Sequence, residues 1–259
     1  DAGSGTASAT VDAWINPPAY TGLPPIYLKP GPMNGAPIRV PVNSELVVRV
    51  HRSSVSPEIV LSPSHDKRPK VTDSDNEYAA NTKLHADENI FVRAGGRTLG
   101  SWRTTIVPDE PPHIVFSQPP STTEHDAVKI AFSAADDYGV VSARALIKPV
   151  KGTRVVAIDL PLDVSAKTVK QTAYRDLTEN PLAGLDVTIT LEAKDGAGQV
   201  AHSKPVRFTL PARIFTNPLA RALVEQRQHL FAKTPHAKPV TLATLDALTF
   251  APDKFYADQ

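Results

Sequence analysis

Apolar and polar positions alternate with a period of two along much of this chain, which predicts half-buried β-strands. Over 45–51, Leu46, Val48 and Val50 share one face while Glu45, Arg49 and His51 take the other. Val128, Ile130, Phe132 and Ala134 form the apolar face of a second run at 127–134. In a third run, 187–194, Thr188, Thr190, Glu192 and Lys194 face outward. One-sided strands of this kind belong to antiparallel sheets with one wet face.

The strands recur as two units. The first opens on Pro17-Pro18, carries the strand at 45–51 and a late strand at 89–94, turns at Gly95-Gly96, and closes with a strand over 98–107 on Pro108. The second opens on Pro111-Pro112, carries strands at 127–134 and 187–194, turns at Asp195-Gly196-Ala197-Gly198, and closes with a strand over 206–210 on Pro211. Gly-Gly and Asp-Gly between alternating strands are hairpin signals, because such turns demand positive φ. The expected fold class is therefore mainly β: two tandem immunoglobulin-like β-sandwiches, over 10–109 and 110–211, followed by a short α-helical tail. Residues 62–88 read as a long polar surface loop, and 108–112 as a stiff connector.

The period changes after Pro211. Thr216-Asn217-Pro218 places a capping residue ahead of proline at the first helical position. Leu219, Leu223 and Leu230 follow at spacings of four and seven, and Leu242, Leu245 and Leu248 recur at three near 240–249. The tail at 212–259 is thus expected to hold two short amphipathic helices. Their apolar stripe needs a partner, which makes Leu219, Leu223, Leu230, Phe231, Leu242 and Leu245 the candidate interaction residues. The covering surface is either the second sandwich or protein outside this chain.

Composition narrows the class more than the function. Of 259 residues 25 are proline, about twice the usual share, and this suits strand starts and protected sheet edges. With 28 basic and 27 acidic residues the net charge is +1, so no general attraction to nucleic acid is expected. The absence of cysteine excludes disulfides, thiolate nucleophiles and cysteine-based metal sites. No apolar stretch is long enough to span a bilayer, and a start at Asp1 reads as a processed or truncated chain whose targeting segments lie elsewhere.

Two resemblances carry the reading further. The segments 134–140 (AADDYGV) and 191–199 (LEAKDGAGQ) resemble turns of bacterial immunoglobulin-like and cadherin-like domains. The segments 11–22 (VDAWINPPAYTG), 136–140 (DDYGV), 174–178 (YRDLT) and 215–223 (FTNPLARAL) together resemble a family of alphaproteobacterial membrane proteins with a domain of unknown function. That resemblance spans nearly the whole chain. It implies an N-terminal pair of transmembrane helices outside this sequence, an extracytoplasmic β-rich region formed by it, and a long helical C-terminus. A periplasmic location with an inner-membrane anchor follows as an expectation, and no catalytic residue comes with it.

Candidate chemistry is sparse. Asp136, Asp137 and Asp195 lie at strand ends, where hard-cation ligation competes with plain turns capped by aspartate; the turn reading, with no calcium requirement, is preferred because no Asp-x-Asp ligand pattern surrounds them. The eight histidines make no His-x-x-x-His pair, so no metal site is expected. Ser64-His65-Asp66-Lys67 matches Ser-x-x-Lys formally, but it lies between prolines without helical period. Trp14, Tyr20, Tyr27 and Trp102 suggest an aromatic sugar-binding strip, although Trp14 and Trp102 are assigned to the first core. The expectation is a non-enzymatic extracytoplasmic scaffold or protein-interaction module without cofactors. Its partners would be the helical regions outside this chain or envelope proteins, and the alternative is binding of cell-wall glycan or another polysaccharide on an exposed sheet face.

Overall fold

The alternating runs fold as written, because each strand buries its apolar face against the opposite sheet of its own unit. The computed structural model describes residues 8–31, 33, 35–63, 69–74, 77–162, 166–213 and 221–226. The chain divides into two units, Asp1–Glu110 and Pro111–Gln259.

In the first unit the strands are β1 (Thr10–Asn16), β2 (Ile26–Leu28), β3 (Ile38–Pro41), β4 (Ser44–His51), β5 (Glu58–Ser62), β6 (Thr72–Ser74), β7 (Glu77–Leu84), β8 (Glu88–Ala94) and β9 (Arg97–Val107). One sheet has the order β2-β1-β4-β7-β6 and the other β3-β9-β8-β5. β3 runs parallel to β9, while the other pairs are antiparallel. The chain passes from one sheet to the other between β2 and β3, β3 and β4, β4 and β5, β5 and β6, and β7 and β8, which is the immunoglobulin-like sandwich pattern. Ile15, Leu46, Leu84, Ile90 and Val92, drawn from both sheets, meet in one core at 0–1% exposure.

Two expectations for this unit need correction. Pro17-Pro18 does not open the unit: β1 precedes it, and the prolines end that strand, where proline can no longer donate to a ladder. Residues 62–88 are not a surface loop throughout, since they contain β6 and β7, an internal strand between β4 and β6. β7 buries Tyr78, Ala80 and Leu84, and its two alanines and outward Asn81 and Lys83 dilute the apolar signal.

The second unit contains β10 (His113–Phe116), β11 (Ser121–Thr122), β12 (Ala127–Ala135), β13 (Val140–Pro149), β14 (Val156–Leu160), β15 (Thr168–Asp176), β16 (Asp186–Asp195), β17 (Val200–His202) and β18 (Val206–Thr209). β12 is flanked by β10 and β11 on one edge and β15 on the other. The second sheet runs β14-β13-β16, with β17 and β18 sharing the far edge of β16. Phe132, Ile130, Ile147, Ile189 and Leu191 fill the core between the sheets at 0% exposure. The units differ at one edge: β6 pairs with β7, whereas its counterpart β14 crosses to the other sheet and pairs with β13.

The turns have the geometry their residues dictate. Gly95 and Gly96 have φ of 56° and 78° between β8 and β9, and Gly198 has φ of 94° between β16 and β17. Residues 221–226 form a helical segment, and among the described residues no helix is long and apolar enough to cross a membrane.

Candidate functional site

The richest surface is the outer face of the β2-β1-β4-β7 sheet. Because β1 pairs with both β2 and β4, Tyr27, Trp14 and Val47 stand in one cross-strand row, with Asn81 of β7 next to Val47. Directly paired residues share a face, with side chains about 4.5–5.5 Å apart at Cβ. Tyr27 is 77% exposed, and Trp14 is half-buried beside it. Trp14 therefore lies on the outside of the sheet, not in the core. It shares β1 with inward-facing Ala13 and Ile15, and alternation puts its indole on the opposite side. Trp102 does belong to the core, at 6% exposure.

The next row sets Asp12 opposite Arg49, whose guanidinium carbon sits 5.5 Å from the Trp14 ring centroid. This is cation–π distance. In the row beyond, His51 lies between two carboxylates. Its Nε2 is 3.2 Å from Asp12 Oδ2 and its Nδ1 is 3.0 Å from Glu77 Oε1. On the other side of the aromatic row, Asn81 Nδ2 donates to Glu45 Oε1 at 3.1 Å. An aromatic pair thus sits in a polar frame, on short-range contacts made by adjacent strands.

The second unit carries a charged array on the outer face of β13, β16 and β17. Arg144 Nε donates to Glu192 Oε1 at 2.9 Å, Arg144 Nη2 bonds the same oxygen, and His202 Nε2 lies 3.0 Å from Glu192 Oε2. The Arg144 hydrogen bond is the main reason the Glu192 carboxyl is held below the usual carboxylate range; burial opposes it, and His202 adds to it. No catalytic geometry follows, because both carboxylate oxygens are already engaged.

Cavities are shallow in chemistry. A cleft of about 520 Å³ in the first unit is lined by Gly31, Met33, Phe91, Arg93, Thr98, Leu99, Gly100 and Ser101. Arg93 is the one titratable residue among them, and it stacks on Phe91 at 5.3 Å. A smaller cavity of about 250 Å³ in the second unit lies between Pro149–Lys151 and Gly184–Asp186. Among the described residues that line them, neither brings together a nucleophile and a base.

Strand ends of the second unit hold the aspartates singled out in the sequence. Asp136 Oδ2 accepts the backbone N–H groups of Tyr138 at 2.9 Å and Gly139 at 2.7 Å. Asp195 Oδ1 accepts the Gln199 N–H at 2.7 Å. These are aspartate-capped turns. Burial raises the Asp136 carboxyl above its ordinary value, the two N–H bonds pull it down, and the negative charges of Asp137 and Asp195 push it up further.

Of the tail residues expected to carry interactions, Leu223 lies on the helical segment 221–226 and is 45% exposed. Leu219, Leu230, Phe231, Leu242 and Leu245 lie outside the described residues, as do the expected second helix and the Ser64-His65-Asp66-Lys67 motif. The outer placement of Trp14 and its pairing with Tyr27 were missed in the sequence. The signal was present: Trp14 falls between Ala13 and Ile15 in an alternating run.

The family model described as "Domain of unknown function (DUF4175)" matches residues 1–259. No curated protein matches the chain. Among solved structures, a cytokine receptor complex is 13% identical over 64% of this chain and 92% of that one, with a TM-score of 0.26. The ICAM-5 ectodomain fragment is 14% identical over 78% of this chain and 56% of its own, with a TM-score of 0.27. A Bacteroides ovatus protein, SGBP-B of a mixed-linkage glucan utilisation locus, solved with a mixed-linkage heptasaccharide, is 14% identical over 80% of this chain and 61% of its own, with a TM-score of 0.23. Likenesses at these scores carry no functional argument.

Proposed function

The chain belongs to the DUF4175 family, a domain of unknown function, and we propose that it acts as a non-catalytic recognition module whose contact surface is the outer β1-β2-β4 face of the first unit. The observation that carries this reading is the adjacency of Tyr27, Trp14 and Arg49 on one exposed sheet face. Tryptophan, tyrosine and arginine are the residue types that dominate binding hot spots in protein interfaces, because they combine large buried area with a polar handle. The flanking Asp12, His51, Glu77 and Glu45 supply a polar rim. Extracytoplasmic location, in the periplasm of a membrane-anchored bacterial protein, is part of the proposal and rests on the sequence resemblance.

A photo-crosslinking residue placed at Tyr27 in the full-length protein tests it. We expect a discrete crosslinked protein that disappears when Trp14→Ala and Arg49→Ala are introduced together. Equal crosslinking from Arg39, on a strand of the other sheet, overturns the assignment of the face.

A second reading is favoured by the open ring of Tyr27 beside Trp14, which suits stacking against the apolar face of a sugar. Retention of the protein on purified peptidoglycan, lost in Tyr27→Ala, supports a glycan ligand in place of a protein. Absence of retention on peptidoglycan and on soluble polysaccharides rejects it.

A further inference from the structure

The two sandwiches finish one edge differently. In the first unit β6 pairs with β7 and covers it, whereas in the second the counterpart β14 pairs with β13 of the other sheet. β15 is thereby left paired with β12 alone, and among the described residues no strand meets its outer edge. β15 is nine residues long, while the other strands that pair on one side only run two to five residues. Proteins usually blunt an edge of that length with proline, a bulge or a covering segment. β15 contains no proline, and its register with β12 runs unbroken from Thr168↔Ala135 to Asp176↔Ala127.

The backbone groups at that edge can be assigned. Residues of an antiparallel strand alternate between those that bond the neighbour and those that turn both backbone groups away. Lys167 C=O accepts the Asp136 N–H at 2.9 Å, one step beyond the ladder, so the odd-numbered residues of β15 bond β12. Ala131, which pairs with Thr172, agrees: its C=O accepts the Ser117 N–H at 2.9 Å on the far side of β12. Lys170, Thr172, Tyr174 and Asp176 therefore direct their N–H and C=O groups to the outer edge. There the Tyr174 carbonyl accepts Arg175 Nη1 at 3.1 Å, and its second lone pair can take another donor.

The side chains of the same four residues are exposed, Tyr174 at 55%, while Val169 and Ala173 are buried. An antiparallel neighbour that bonds this edge must set outward residue against outward residue. Place β15 of a second copy about a two-fold axis at Ala173. Lys170 then faces Asp176 of the copy and Thr172 faces its Tyr174, and symmetry repeats each pair. These are an opposite-charge pair and an aromatic–β-branched pair, both favourable across strands. An axis at Lys170 sets two lysines against each other, and an axis at Thr172 leaves both charges without a counterpart. The axis at Ala173 is thus the self-complementary one.

We propose that β15 is a self-association edge, through which two copies of this chain join antiparallel and merge their β12-β15 sheets into one. Pairing from Lys170 to Asp176 supplies about eight backbone hydrogen bonds and covers the Tyr174 ring. Lys170 also gives selectivity, because a strand that brings no acid to its position leaves the ammonium unpaired. The recognition face of the first unit takes no part, so the two readings are tested separately.

Sedimentation velocity of the whole chain is the test. We expect a particle of twice the chain's mass, with a dissociation constant on the order of 10–100 μM, as suits a small polar interface. Lys170→Glu sets glutamate against Asp176 in both symmetric pairs and should weaken association about tenfold. Lys148→Glu, the same charge change at an exposed position of β13, should leave association unaltered. Disulfides read the register, because the chain itself has no cysteine. Directly paired Cα atoms stand about 5.5 Å apart, within disulfide reach, so Thr172→Cys mixed with Tyr174→Cys should crosslink faster than either alone. Both positions are exposed, so neither variant disturbs the core. A chain that stays monomeric about tenfold above the expected range overturns the proposal, whether its edge is bare or covered by the rest of the chain. So does a dimer undiminished by Lys170→Glu, or crosslinking no faster in the mixture.

Discussion

The indole of Trp102 lies across Gly100: a Cβ built on Gly100 would stand 2.3 Å from Trp102 Cη2 and 2.6 Å from Cζ2. The two residues are spaced by two on β9, so they share the inner face. The ring cannot swing away cheaply, because Trp102 Nε1 donates to the Lys29 carbonyl at 2.8 Å and the side chain is 6% exposed. Glycine at position 100 is thus the space that a large core residue needs.

Gly100→Ala should therefore destabilise the first unit by about 1–3 kcal/mol, the cost of overpacking a core that must shift an aromatic ring. Gly31→Ala is the matched control, since a Cβ there meets nothing within 4 Å. Urea unfolding followed by tryptophan emission compares them, and equal midpoints for both variants would show that the ring yields freely.

The connection between β15 and β16 is held by its own side chains. Asp176 Oδ1 accepts the Thr178 N–H at 2.9 Å and the Thr178 hydroxyl at 2.7 Å, while Asn180 Oδ1 accepts the Leu182 N–H at 3.0 Å. These bonds aim Leu177, Leu182 and Ala183 into the core, where Leu182 is fully buried. Leu182→Ala should cost about 2–5 kcal/mol through the cavity it leaves. Asn180→Ala should cost about 1 kcal/mol for the lost bond. Denaturant titration of both variants orders them, and a reversed order would mean the segment is positioned by its turn more than by its core contact.

The strands that were legible in the sequence are those whose apolar faces hold large aliphatic residues, such as β4, β12 and β16. β7 escaped because its inward row includes Ala80 and half-buried Thr82, and β15 because Val169 and Ala173 alternate with Gln171 and Arg175. Small residues fill a core as well as leucine when the opposite sheet supplies bulk, but they write no pattern. The outer face of the first unit was half-legible: the aromatics stood out, yet which side Trp14 takes is set by its register against Tyr27 and Val47. That Asp136 Oδ1, Asp137 Oδ1 and Asp195 Oδ2 are buried without a hydrogen-bond partner among the described residues was beyond the sequence, since the turn motif accounts only for the engaged oxygens.

Glu192 gives the second unit a sign for its pH response. The Arg144 hydrogen bond, aided by His202, places its folded-state pKa below its unfolded value. Its stabilising contribution is complete above the ordinary carboxylate pKa and is lost as pH falls from there through the folded-state value. Glu192→Gln should be less stable than the wild type at neutral pH, with the gap closing on acidification below about pH 4. The gap is small because Arg144 is 45% exposed and water screens the pair. Urea midpoints of the two proteins at several pH values check this, and a gap that widens on acidification would reverse the assigned role.

Tyr27 and Trp14 separate binding from folding. Tyr27 is 77% exposed on an edge strand of three residues, so Tyr27→Ala should alter stability by less than about 0.5 kcal/mol. Trp14→Ala removes a half-buried ring and the stacking of Arg49 at 5.5 Å, which should cost roughly 1 kcal/mol. If the face is the recognition surface, both variants should lose far more in binding than in folding, about 2 kcal/mol or a thirtyfold weakening each. Unfolding midpoints and the affinity for the crosslinked partner, measured on the same preparations, give the two numbers. Binding losses that merely track the stability losses would place the contact surface elsewhere.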